Sequence, residues 1–469
     1  MRKNLLASAV AFCGLLYSGV ASAQMSTTNS LLPDNRSLSG AVNATNVPEP
    51  GSIRVRLGGH TNFYAGVMSD SGDKAPGFKQ ANYAFGDYVH LNPSVDGVAA
   101  NGLRYGTFVD IWNEKPIASG GGTSLGLGNA TTGPISGGSI SNTDRLAGTL
   151  YVRRAWVYMG LPSLGTLRFG SGDSPAGLFE TGTFENFNDG GWNGDVPGLI
   201  SGNAQPTWPF ALVGNLYTPT KATYLSPQFH GFEFGVSYEP NTSQFTTFDG
   251  NCGIASTGCA RLSASNLAAD LGRRRNMVNP EFRYRGTFGP VGLAAEFGYM
   301  GSGVVGANPS GPGSNITAGT PHFRGFNMGI GGLAVTYGGL TVGGHVQAGA
   351  FNSQWNLAPA QGPDAFAWIA GASYTIGPVI AGASFYQYDS AGNSFQNFTP
   401  AGRSVGQMRE RGFAAGGTYT VVPGLGIFLD ALWGDRKENN YDLLTNTFGS
   451  TNNNKTRSEL LSLGTILRW

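Results

Sequence analysis

The sequence predicts an all-β fold, a transmembrane antiparallel up-and-down β-barrel of about sixteen strands, and three observations predict it. Apolar and polar residues alternate with period two in short segments along most of the chain. The connections alternate between tight Gly/Pro turns and long polar loops. Composition suits a β-structure whose apolar face meets something other than water. Glycine supplies 74 of 469 residues, about twice its usual share of roughly 7%, while charged residues fall to 12% against a usual figure of about 25% and aromatics also reach 12%. A disordered chain would be rich in charge and poor in aromatics.

The elements follow in order. Arg2 and Lys3 form a basic start, Leu5 to Val20 an apolar run, and Ala21-Ser22-Ala23 a small-residue cleavage site, so residues 1–23 read as a secretory signal peptide. Cys13 is a poor lipidation site, because Phe12 stands where a small residue is expected. Removing the peptide leaves 27 bases against 28 acids, so no global field recruits nucleic acid or an anionic surface. Residues 24–52 form an N-terminal periplasmic segment, and the barrel occupies 53–469.

Beyond the signal peptide no apolar run reaches the roughly 18 residues a membrane-spanning helix needs. The first strand sets Ile53, Val55, Leu57, Phe63, Ala65 and Val67 against Arg54, Arg56, His60, Asn62 and Tyr64. "TLRFG" sets Leu167 and Phe169 against Arg168, and "PEFRYRGTF" sets Phe282 and Tyr284 against Glu281, Arg283 and Arg285. Tight turns are expected at 93–97, 161–165, 226–231, 289–292, 338–340, 377–379 and 423–426. Long loops are expected near 69–80, 113–146, 173–219, 241–275, 302–322, 353–363, 390–409 and 438–455. Seven turns and eight loops join sixteen strands. Closure removes the sheet edges and a lipid environment accepts the apolar outer face. Tyr158, Tyr299, Tyr337, Trp433 and Trp469 suit aromatic girdles at the two interfaces. Cys252 and Cys259, in "CGIASTGC", most simply form a disulfide stapling a loop, with free thiols as the alternative. A metal site would need more ligands than this pair provides, and no cofactor is implied.

The most unusual stretch is "FGSGDSPAGLFETGTFENFNDGGWNGD", residues 169–195, which carries Asp173, Glu180, Glu185, Asp189 and Asp195 and no base. It opens the longest loop, and Arg153, Arg154 and Arg168 precede it on strand-like segments. A sixteen-stranded barrel leaves an aqueous lumen. Folded inward, these carboxylates would face arginines across water; folded outward, they would be an ordinary solvated loop. Adjacent Arg153 and Arg154 cannot both face the lumen of a regular strand, so a bulge, an outward position or snorkelling is required of one.

"LYVRRAWVYMGLPSLGTLRFGSGDSPAGLFETGTFENF" (150–187) resembles the fourth strand, second turn, fifth strand and inward third loop of the general trimeric porins of the Gram-negative outer membrane. The resemblance covers most of the mature chain, including the signal peptide, the strand count and the terminal aromatic strand. It implies short periplasmic turns, long extracellular loops and a third loop (173–219) folded into the lumen. It further implies a constriction between loop acids, here Glu180, Glu185, Asp189 and Asp195, and wall bases, here Arg104, Arg154 and Arg168. Alternation puts Arg104 inward near mid-height, and Arg54, Arg56 and His60 toward the periplasmic vestibule. Trp469 stands where relatives carry phenylalanine, as the assembly signal. Outer-membrane location, lipid and lipopolysaccharide contacts, homotrimerisation and passive diffusion of small hydrophilic solutes follow from the same resemblance.

Other classes fit less well. A sugar- or organic-anion-selective channel would need aromatic tracks, for which Phe179, Phe184, Phe187 and Trp192 are the candidates. A barrel enzyme would need a nucleophile and base. His60, His90, His230, His322 and His345 show no Ser or Asp partner in a motif, and "GSGDSPAG" lacks the lysine of a phosphate loop. Glu180 and Glu185 read as a field-forming pair rather than acid/base catalysts. An adhesin acting through Gly/Asn/Ser/Thr-rich loops has only the composition of ordinary loops behind it.

Overall fold

The computed structural model describes residues 48–74, 81–113, 150–182, 187, 192, 196–200, 204–210, 219–241, 263–264, 274–304, 306–307, 323–352, 355–360, 362–392, 407–445, 447–448 and 452–469. Sixteen antiparallel strands form the wall: β1 Ile53–Asp70, β2 Tyr83–Val98, β3 Arg104–Asn113, β4 Leu150–Leu161, β5 Gly165–Ser171, β6 Thr220–Leu225, β7 Phe232–Asn241 and β8 Arg275–Phe288. The remaining eight are β9 Val291–Gly303, β10 Asn327–Tyr337, β11 Leu340–Asn352, β12 Ala365–Ile376, β13 Val379–Ser390, β14 Met408–Val422, β15 Leu425–Glu438 and β16 Lys455–Arg468. Each strand pairs with its sequence neighbours, and β16 returns to β1 in a register running from His60↔Arg468 to Asp70↔Ser458. The sheet is therefore closed and leaves no edge. Among the described residues no helix is long and apolar enough to cross a membrane; that says nothing of strands.

The pleat explains the alternation. On β1 the outward side chains Val55, Leu57 and Val67 are 75%, 65% and 62% exposed, whereas inward His60, Asn62, Tyr64 and Met68 are buried. On β16 outward Leu461, Leu463 and Leu467 alternate with buried Leu460, Ser462 and Ile466. The outer surface is thus an apolar band in which Phe63 stacks on Phe85 and Phe282 on Phe297. The buried apolar cluster lies on the other face, inside the barrel.

Six of the seven expected turns fall where the strands reverse; the first does not. Residues 93–97 lie within β2, and the reversal is at 99–103, where the Ala99 amide donates to Leu103 O at 2.8 Å and Gly102 takes φ +82°. Pro93 stays in a strand because it still pairs with Leu57 of β1, while the ladder to β3 has a gap between Leu91↔Ile111 and Ser94↔Phe108. The aromatic girdle also needs one correction. Tyr158 pairs across to Gly106 and Arg168 and points inward, its hydroxyl donating to the Asp96 carboxylate. Tyr299, Tyr337 and Trp469 are outward and exposed. Residues 1–47, with the signal peptide, and Cys252 and Cys259 lie outside the described residues.

Candidate functional site

β4 carries the arginine pair, and a bulge reconciles it with the pleat. The register passes from Asp110↔Arg154 to Ile111↔Val152, so Arg153 is the extra residue. Both guanidinium groups consequently reach the inner face. Arg154 is fully buried, 3.1 Å from the Asp110 carboxylate and 3.0 Å from that of Asp173 at the root of the third loop. Arg153 lies 3.9 Å from Asp110 and 4.0 Å above the Trp112 ring. Trp112 stacks on His90 at 3.9 Å, and His90 meets His60 edge-on at 4.3 Å. His60 is therefore buried in an aromatic row that leads back to Arg153.

The loop root is stitched to further wall residues. Arg168 donates to the Asp173 carbonyl at 3.0 Å and lies 4.3 Å over Trp156. Lys221 donates to the Gly172 carbonyl at 2.6 Å and sits 3.9 Å from Glu239, which also faces Arg274 at 3.8 Å. A single helical turn, α1 (Pro175–Leu178), follows, with Pro175 preset for a first helical position. The Ala176 amide donates to Asn279 at 2.8 Å. Arg283 closes the row. It pairs with Glu233 at 2.7 Å, donates to the Leu178 carbonyl at 3.1 Å and covers the Phe179 ring at 4.5 Å. Buried cations are tolerable here because carboxylates and carbonyls of the loop root are placed against them.

Past Phe179 the loop crosses the inner wall. His345 Nδ1 is 3.1 Å from the Thr181 carbonyl and 2.9 Å from the Glu296 carboxylate, so the loop backbone meets a buried polar pair on β9 and β11. Gly182, at φ +83°, lies against the backbone of Leu333 and Gly344, where no Cβ would fit. The Phe187 carbonyl accepts from Thr418 at 3.0 Å, and Trp192 Nε1 donates to the Phe413 carbonyl at 3.2 Å. Leu199 reaches β1, 2.5 Å from where a Cβ on Gly66 would stand. On the return, the Thr207 amide donates to Glu410 at 2.9 Å, Trp208 meets Tyr386 edge-on at 5.1 Å, and Trp355 donates to the Pro209 carbonyl at 2.9 Å. The described parts of this loop thus lie against the inner wall at β7 to β11, β13 to β15 and β1.

The structure separates the residues the sequence grouped together. Arg154 and Arg168 hold the loop root, in contact with Asp173 rather than across open water from it. Glu180 is buried farther along the described part of the loop, near His345 rather than at the root, and Glu185, Asp189 and Asp195 lie outside the described residues. Arg104 is the first residue of β3, at the turn end rather than mid-height, because the reversal before it falls later than its Gly/Pro signal suggested. Arg54 and Arg56 also sit at the turn end, where Arg56 pairs with Asp96. Phe179, Phe187 and Trp192 are buried in packing against the wall. Asp110, Glu233, Glu239, Lys221, Arg274 and Glu296 escaped the sequence reading, and His345 was weighed only as a catalytic base. For most of them the signal was a single charged or ionisable residue inside an otherwise apolar or small-residue strand, as in "GLAAEFGYM" around Glu296; Arg274, within the run Arg273 to Arg275, had none of this kind.

The sequence model of the family described as Gram-negative porin matches residues 6–439. No curated protein matches the chain as a relative. Three solved structures are similar at low identity. The anion-selective porin from Comamonas acidovorans is 13% identical, with 89% of this chain and 100% of that one covered and a TM-score of 0.47. OmpF of Salmonella typhi, in complex with daunomycin, is 11% identical, with 88% and 97% covered and a TM-score of 0.47. The outer membrane channel DcaP of Acinetobacter baumannii is 11% identical, with 90% and 100% covered and a TM-score of 0.47.

Proposed function

The chain belongs to the Gram-negative porin family and is an outer-membrane channel for passive diffusion; on that premise we propose that its third loop sets the constriction. The observation that carries this reading is the Arg154–Asp110–Asp173 clamp, which fastens the loop root to the inner wall. Glu180, Glu185, Asp189 and Asp195 supply the acidic side of a transverse field, and Arg283 and Arg285 its wall side. Arg104, at the turn end, lies outside it. Opposite charges about 8 Å apart interact by roughly 0.5 kcal/mol in bulk water and roughly 2 kcal/mol at an effective dielectric near 20. That orients dipoles and hydrated ions without trapping them, as passive diffusion of small hydrophilic solutes requires.

Burial of Phe179, Phe187 and Trp192 supports a general channel over one with an aromatic track for a chosen solute. The same reading takes the protein as a homotrimer and as a channel without catalytic chemistry. Outward ion pairs at the loop ends, Arg409–Asp389 at 2.6 Å, Lys455–Asp435 at 3.1 Å and Arg457–Glu459 at 2.8 Å, suit contact with lipid and lipopolysaccharide headgroups.

The test is single-channel recording in planar bilayers under a salt gradient, comparing wild type with the double substitution Glu180→Gln, Glu185→Gln. Ohmic conductance is expected, with selectivity moving toward anions in the double variant. Unchanged selectivity would remove these carboxylates from the constriction, and absence of conductance would remove the channel itself.

A further inference from the structure

Charge on the inner face is unevenly placed at the turn end of the barrel. The register sets Arg54 opposite Asp96, Arg468 opposite His60 and Arg104 opposite Val98, so four arginines and one aspartate sit on the adjacent strands β16, β1, β2 and β3. Their inward direction follows from the pleat, since Ile53, Val55, Leu57, Tyr105, Leu467 and Trp469 between them are exposed outward. The aspartate is already engaged, because Arg56 and the Tyr158 hydroxyl both bond its carboxylate.

The surroundings do not reverse this balance. None of the short turns at 99–103, 162–164, 226–231, 289–290, 338–339, 377–378 and 423–424 contains an acid or a lysine or arginine. The rim adds Glu49 and the terminal carboxylate of Trp469, leaving four arginines against three carboxylates at this end of these four strands and their rim. Residues 24–47 contribute Asp34 and Arg36, which cancel. The mature chain as a whole is nevertheless close to neutral, so the excess is local. A concave, water-filled mouth with low-dielectric walls focuses such a field and raises the local concentration of counter-ions.

We infer that the turn-side mouth is an anion-collecting vestibule, which makes the channel prefer small anionic solutes such as carboxylates and phosphate esters over cations of the same size. The inference rests on the channel reading above and adds a solute class and a location to it. Its location gives it a signature. Charges in an open mouth are screened within about 10 Å at 0.1 M salt and about 3 Å at 1 M, whereas a dry constriction holds its field at both.

The experiment is the reversal potential of the refolded protein under KCl gradients centred near 0.1 M and near 1 M. The variant is the double substitution Arg54→Gln, Arg104→Gln, at positions outside the loop clamp; Arg409→Gln, on the outer surface, is the control. Wild type is expected to prefer anions at low salt. The double variant is expected to lose about two- to fivefold in anion-over-cation permeability there, with the difference fading at high salt and the control unchanged. Conducting variants with wild-type selectivity at low salt, or a cation-preferring wild type, would overturn the vestibule and leave the channel standing. Loss of all conductance in the wild type would overturn both.

Discussion

Replacing Arg154 by glutamine removes the cation that two buried carboxylates share. Its guanidinium stands 3.1 Å from Asp110 and 3.0 Å from Asp173, and all three side chains are fully buried. The substitution leaves two buried carboxylates without their shared cation, with Arg153 at 3.9 Å and hydrogen bonds from Asn92 at 2.9 Å and Trp112 at 2.7 Å still on Asp110. Breaking a buried pair by removing one partner costs about 3–5 kcal/mol. At 1.36 kcal/mol per factor of ten, the released state of the loop root gains about two to three and a half orders of magnitude in weight. The expected readout is open-channel noise and faster limited proteolysis within 173–219, with the barrel still folded by its shift on unheated gels. Adding Asp173→Asn removes one of the two stranded carboxylates, so the double variant is expected to be quieter than Arg154→Gln alone. Such non-additivity is the mark of a shared clamp. An Arg154→Gln channel as quiet and as protease-resistant as wild type, or costs that simply add, would refute the clamp.

Two further predictions test how the loops are seated. A Cβ on Gly434 would stand 2.5 Å from Pro206 and 2.9 Å from Trp192, both loop atoms, so Gly434→Val is expected to cost about 1–3 kcal/mol through overpacking and to alter conductance while β-content is kept. Gly329→Val, where the nearest atom is 3.8 Å away, is the silent control, and equal effects at both positions would remove the footprint idea. In the eighth loop, burial opposes the charge on Asp442, yet hydrogen bonds from the Thr445 amide, Asn453 and the Leu444 amide hold its carboxyl below the ordinary 3.8. A lowered folded-state value means that this support is present above 3.8 and is lost as pH falls through the folded value. Exchange of the Leu444 and Thr445 amides, corrected for intrinsic rate, is expected to accelerate below that pH in wild type and to lose its pH dependence in Asp442→Asn; a flat wild-type profile would contradict it.

The barrel itself was legible because its information is local. Period two on β1, β8 and β16, and the contrast between Gly/Pro reversals and long polar loops, arise from residues within a few positions of one another. Even the conflict at Arg153 and Arg154 could be seen, since two adjacent side chains cannot share a face without a bulge, and the register supplies one. The first turn was misplaced for the same reason: Pro93 carries a local turn signal that pairing with Leu57 overrides.

What the tertiary structure alone decided is who meets whom across the lumen. Arg154 and Asp110 are 44 residues apart, and the Thr418 hydroxyl reaches a carbonyl 231 residues away. Such partners follow from strand register and from the path of the third loop, and a one-residue slip would send every one of these side chains to the lipid. The glycines of β10 to β15 show the limit most plainly. In sequence they look like weak strand positions, and only the seated loop reveals that Gly332, Gly382, Gly412 and Gly434 lack side chains because Thr181, Phe187, Trp192 and Pro206 occupy the space.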